Sequence, residues 1–206
     1  MKKIVTVFFA TLFLSTSAIA GGTIGIKYGT GDLTSTSSVP NDTNTTKSAD
    51  SEYGAIFAEF NLPNVPLALG VEYIPLEAVV GVDGSKTDSH LELSDHTTIY
   101  AQASKEMDNG GSIYAKIGYS TADISKVTAN YDATAASSPA SELEGTMVGL
   151  GVQTAEGPLG LVARFEATLT EYDDVSVTTT ENGISETKTA KDTELTTFTI
   201  SIAKSF

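Results

Sequence analysis

Residues 198–206 read Phe-Thr-Ile-Ser-Ile-Ala-Lys-Ser-Phe. Phe198, Ile200, Ile202 and Phe206 share one parity, while Thr199, Ser201, Ala203 and Ser205 share the other. A period of two over this length is the signature of a β-strand with one apolar face. Lys204 interrupts the pattern, because it falls on the apolar parity.

The same alternation recurs upstream. Leu159, Leu161, Ala163, Phe165, Ala167 and Leu169 oppose Gly160, Arg164, Glu166 and Thr168, with Val162 as an apolar exception. Ile113, Ala115, Ile117 and Tyr119 oppose Tyr114, Lys116, Gly118 and Ser120; Leu67, Leu69, Val71 and Tyr73 oppose Ala68, Gly70 and Glu72. Val148, Leu150 and Val152 oppose Met147, Gly149, Gly151 and Gln153. The alternation predicts eight strands, over 23–33, 52–62, 66–77, 92–105, 111–123, 143–155, 158–172 and 193–206. Helical periodicity is not evident after Gly21.

The connections alternate in length. Short turns are read at 61–66, at 106–111 with its Asn109-Gly110, and at 155–158. Between them lie long connections rich in Ser, Thr, Asn and Asp, at 34–51, 78–91, 124–142 and 173–192. Long loops at one end and tight turns at the other are the asymmetry of an outer-membrane barrel.

Two architectures bury an apolar face of this kind: a water-soluble sandwich and a membrane barrel. They differ in the second face. A sandwich turns it to water and loads it with charge, whereas here it is rich in Gly, Ala and Ser. Small residues suit a narrow barrel interior that side chains must fill. The reading is therefore all-β: an eight-stranded antiparallel up-and-down transmembrane β-barrel over 21–206.

The first twenty residues read as a signal peptide. Lys2 and Lys3 precede an apolar run from Ile4 to Leu14, and Ala18-Ile19-Ala20 fits a cleavage site before Gly21. Removing those residues leaves ten basic side chains against 26 acidic ones, since two of the twelve Lys and Arg go with the leader. A balance so acidic argues against nucleic-acid binding. With no cysteine, disulfide frameworks and thiol chemistry are excluded, and closure must come from paired strand edges. No segment after Gly21 approaches the apolar length of a membrane helix.

Taken together, the leader, the eight alternating segments and the 198–206 ending resemble the small outer-membrane β-barrel family, with its OmpA-like, OmpX-like and opacity-type members, often grouped as porin-family domains. The resemblance covers the whole of 21–206 and is diffuse, so it speaks to fold more than to function. It implies that Phe198, Ile200, Ile202 and Phe206 form the signal read by the barrel-assembly machinery. Lys204 departs from that pattern, although a Lys near the interface can snorkel at a cost of about 0–1 kcal/mol.

Strand parity places Lys27, Glu59, Glu72, Lys116, Arg164 and Glu166 inside the barrel. Charges in a filled interior must be paired, and three bases against three acids allow it. A structural ion-pair network is the favoured reading; a gated, charge-lined core is the functional alternative. His90 and His96 lie near Glu92 and Ser94, the residue types of a lipid-modifying barrel enzyme. Glu92, Ser94 and His96 alternate on one face at roughly 7 Å spacing, longer than a hydrogen bond. The acidic pairs Asp173-Asp174 (with Glu171) and Glu142/Glu144 lack a calcium-loop pattern and read as solvated charge. Loose divalent bridging to lipopolysaccharide phosphates is the alternative. Tyr28, Tyr53, Tyr73, Tyr119, Tyr131 and Tyr172 fit an interfacial girdle; Tyr100 lies on the inward parity.

The functional expectation is a non-enzymatic barrel of the cell outer membrane, monomeric, without cofactor or metal. It presents four polar loops outward and contacts outer-membrane lipid and lipopolysaccharide. The alternatives are a small-solute channel of the porin type and, less favoured, a lipid-modifying enzyme. The loops are rich in Ser, Thr and Asn, and that composition names no ligand.

Overall fold

The computed structural model of the chain describes residues 21–38, 45–75, 78–81, 90–128, 142–181 and 184–206. The leader at 1–20 and Tyr131 lie outside them. Among the described residues there are ten strands: β1 (Gly22–Ser38), β2 (Thr45–Asn61), β3 (Leu67–Ile74), β4 (Ala78–Gly81), β5 (His90–Glu106), β6 (Ser112–Thr128), β7 (Glu142–Gln153), β8 (Leu161–Tyr172), β9 (Val175–Glu181) and β10 (Ile184–Ser205). Hydrogen bonding runs in the order β1-β2-β3-β5-β6-β7-β8-β10, and β10 pairs back onto β1. Every pairing is antiparallel. The result is a closed barrel with eight walls. β4 pairs with β5 beyond the end of β3, and β9 pairs with the first part of β10.

Closure leaves no open edge along the β1–β10 seam. The register runs from Thr23↔Ser205 to Ser38↔Thr189, with one irregularity between Thr34 and Thr36. Gly21 N–H donates to the Phe206 carbonyl at 2.9 Å, and Phe206 N–H donates to the Gly22 carbonyl at 3.0 Å. A closed ladder pairs backbone groups along this wall within the protein, the condition for crossing a bilayer with strands.

The short turns follow from local chemistry. After β5, the Asn109 side chain accepts a bond from Gly111 N–H at 3.0 Å, and Gly110 adopts the left-handed φ of 79°. That conformation costs glycine nothing. After β7, a 3-10 turn over Pro158–Gly160 carries Leu159 at φ 70° and Gly160 at φ 74°. This turn moves the start of the strand expected over 158–172 to Leu161.

Other boundaries also differ from the sequence reading. β1 runs on to Ser38, β2 begins at Thr45, and β6 continues to Thr128. Much of the stretch 173–192, read as a loop, is β9 and the beginning of β10. These extensions are rich in Thr and Ser. Thr is a good strand former, but without apolar alternation the segments gave no periodic signal. The strand expected over 66–77 stops at Ile74, ahead of Pro75, which has no N–H to give to a ladder.

Burial is inverted relative to a soluble protein. Large apolar side chains point outward and are exposed, among them Leu150 at 69%, Ile99 at 67%, Phe198 at 65% and Ile26 at 64%. Inside are Lys27, Glu59, Lys116, Arg164, Glu166 and a set of Thr and Ser residues, all buried. A contiguous apolar exterior around a charged interior is not stable in water. It is the arrangement expected of a barrel whose outer wall meets lipid, and it removes the sandwich alternative.

Candidate functional site: the charged interior of the barrel

The six interior charges come from five walls: Lys27 on β1, Glu59 on β2, Glu72 on β3, Lys116 on β6, and Arg164 and Glu166 on β8. Residues two apart on a strand face the same way, so Arg164 and Glu166 enter the lumen from one strand. The structure joins all six into one chain of contacts. Lys27 Nζ donates to Glu72 Oε2 and to Glu166 Oε1, each at 2.5 Å. Lys116 Nζ lies 2.6 Å from Glu166 Oε2 and 3.8 Å from Glu59 Oε1. Arg164 forks onto Glu59, with Nη1 to Oε1 at 2.7 Å and Nη2 to Oε2 at 2.8 Å.

Neutral groups complete the layer. Arg164 Nε donates to Gln153 Oε1 at 2.7 Å, and Tyr100 Oη donates to Glu59 Oε1 at 2.9 Å. Lys116 Nζ stands 4.2 Å from the centre of the Tyr100 ring. A bidentate guanidinium–carboxylate pair in a low-dielectric interior is held strongly, and losing one partner leaves a costly buried charge. Three cations and three anions leave the layer formally neutral.

The inward aromatic rings are made possible by glycine. Phe57, Tyr100, Tyr114 and Tyr172 lie opposite Gly25, Gly70, Gly151 and Gly145 on the adjoining strands. At each of these glycines a Cβ would run into the partner ring. Parity with Glu59 marks Phe57 as inward, and parity with Arg164 and Glu166 marks Tyr172 as inward. The girdle reading is therefore corrected for two residues. Tyr172 is buried inside, and Tyr53 shares the face of Ala55, Phe57 and Glu59. Tyr28 and Tyr119 are exposed on the outer wall, and Tyr73 shares the outward face of Leu67 and Leu69.

Towards the loop end, Leu33, Ala122, Leu143 and Tyr172 form an apolar cluster with Val175 and Leu195. Beside it, His96 Nε2 is 2.9 Å from Tyr172 Oη. A bulge between Ser94 and Thr97, with Asp95 at φ 52°, inserts one extra residue into β5. It breaks the alternation that would set Glu92, Ser94 and His96 on one face; the side chains of His90, Glu92 and Ser94 lie outside the described residues. Among the described residues, no group of three or more His, Asp or Glu is placed to hold a metal ion.

On β10, Phe198, Ile200, Ile202 and Phe206 all lie on the outer wall, between 45% and 65% exposed. Lys204 Nζ folds over the Phe206 ring at 5.3 Å from its centre.

No family model and no curated protein matches the chain. Among solved structures, the chain is similar to the outer membrane protein OprG from Pseudomonas aeruginosa, with a TM-score of 0.65 at 8% identity over 91% of this chain and 98% of that one. It is also similar to Neisserial surface protein A, with a TM-score of 0.48 at 12% identity over 88% of this chain and 97% of that one. The chain has the fold of the small eight-stranded outer-membrane β-barrels.

Proposed function

We propose that this chain is an outer-membrane protein whose barrel is a filled anchor and whose outer strand ends and loops meet the surroundings. The observation that carries this reading is the ionic layer. Its six side chains reach from five walls into a lumen that, with eight strands, is only about wide enough for side chains. Such a layer holds the walls together and leaves little room for solute passage.

The likeness to OprG, described as an outer membrane protein, supports the location. The apolar outer wall supports contact with lipid, and on this reading the lipopolysaccharide leaflet surrounds the loop end. Insertion by the barrel-assembly machinery fits the outward row of Phe198, Ile200, Ile202 and Phe206. The strand ends nearest the loops carry exposed carboxylates, including Asp32, Asp50, Glu52, Glu144, Glu171 and Glu194. They give the outer end an acidic character.

Two measurements test the proposal. In outer-membrane fractions run with and without boiling, the folded barrel should migrate faster unboiled. In planar bilayers the protein should show no steady large conductance; a sustained open state of that kind would favour the small-solute channel instead.

A further inference from the structure

We infer that Phe57 is the seal of the lumen, the ring among the described residues on which the interior cations from three walls converge. This rests on the closed-barrel reading above. Phe57 is 1% exposed. Its ring lies across Gly25, its direct partner on β1, and packs with Val162 of β8 and Ala203 of β10. Lys27 Nζ is 5.7 Å from the ring centre, Lys116 Nζ 5.8 Å and Arg164 Cζ 5.2 Å. These distances lie within the range of cation–π attraction.

The ring therefore fills lumen space beside the charges, together with the inward rings of Tyr100 and Tyr114. Each cation is also tied back by a carboxylate: Lys27 by Glu72 and Glu166, Lys116 by Glu166, and Arg164 by Glu59. Removing the ring leaves those ties in place, so the cations cannot simply close over the gap. What opens is a narrow polar passage lined by the three cations and the carboxylates paired with them.

The test uses the full chain in planar bilayers, as wild type and as Phe57→Leu, Phe57→Val and Phe57→Ala, each first shown to fold by its faster migration unboiled. Wild type and Phe57→Leu should be silent. Conductance should appear in Phe57→Val and rise in Phe57→Ala. Silence in a folded Phe57→Ala overturns the assignment. If Phe57→Ala does not fold, a silent folded Phe57→Val overturns it instead. Equal conductance in wild type and the variants would overturn both this inference and the closed-barrel reading. Silence throughout would overturn this inference alone.

Discussion

Tyr100 on β5 lies across the bare backbone of Gly70, its direct partner on β3, and from there its hydroxyl reaches Glu59 on β2 at 2.9 Å. The glycine makes the ring's position possible, and the ring's position completes the ionic layer. Gly70→Ala should therefore act at a distance. The new methyl would drive the ring off its site, weakening its bond to Glu59 and its contact with Lys116. Overpacking of this kind costs about 1–3 kcal/mol. Urea unfolding in lipid vesicles should show that loss for Gly70→Ala and almost none for Gly54→Ala, where a Cβ meets only the Lys27 carbonyl at 3.8 Å. In the double variant Gly70→Ala/Tyr100→Ala the two effects should be less than additive. Full additivity would mean the ring and the glycine are not coupled.

The bidentate pair of Arg164 and Glu59 makes a second, sharper prediction. Glu59→Gln leaves the guanidinium buried with a neutral partner, and breaking a buried pair costs about 3–5 kcal/mol. Replacing both members by apolar residues, as Glu59→Leu/Arg164→Met, leaves Lys27 and Lys116 facing Glu72 and Glu166, which is again neutral. That double variant should unfold closer to wild type than either single variant does. Equal or greater loss in the double would show that the pair contributes more than mutual charge compensation.

The contrast between these two sites shows what a linear sequence encodes in this fold. The outer wall was readable from period alone, because Leu161, Phe165 and Leu169 repeat every fourth residue on one face, with Ala163 and Ala167 between them. The same count places Arg164 and Glu166 on the other face. Which charge meets which was not readable. Lys27 finds Glu166 across 139 residues of chain, and that meeting depends on the stagger of eight strands and the reach of side chains across the lumen. The strand ends were misread for a different reason. Segments such as 34–38 and 184–192 extend into the polar zone beyond the apolar band, so neither face is apolar and no alternation survives. Thr-rich composition favours strand there but resembles loop. The bulge at Asp95 left no periodic trace either, since it shifts the phase by a single residue.

Near the outer end of the barrel, Asp32 and Asp50 face each other directly across β1 and β2, and both are exposed. Like charges directly opposed on neighbouring strands are destabilising, on a scale of about 0.2–1 kcal/mol. Asp32→Asn should therefore stabilise the barrel slightly at low ionic strength. The gain should shrink as salt is raised, because exposed charges are screened. Unfolding midpoints measured at low and high NaCl check this. A gain that does not change with salt would point to packing rather than charge.

The lipid-facing wall gives the prediction that most directly separates a membrane barrel from any soluble β fold. Leu150 lies between Val148 and Val152 on the outward face of β7 and is 69% exposed. Leu159 sits in the short turn before β8 and is 81% exposed. By exposure alone, Leu159→Arg and Leu150→Arg should be equally harmless, since both side chains point away from the protein. In a bilayer, position decides instead. An Arg near the midplane of a transmembrane barrel costs about 2–4 kcal/mol, and one near the interface about 0–1 kcal/mol. Leu150→Arg should therefore lower the unfolding free energy in vesicles by the larger amount, and Leu159→Arg should leave it nearly unchanged. Were the two variants to behave alike, the apolar outer wall would not be a lipid-facing surface.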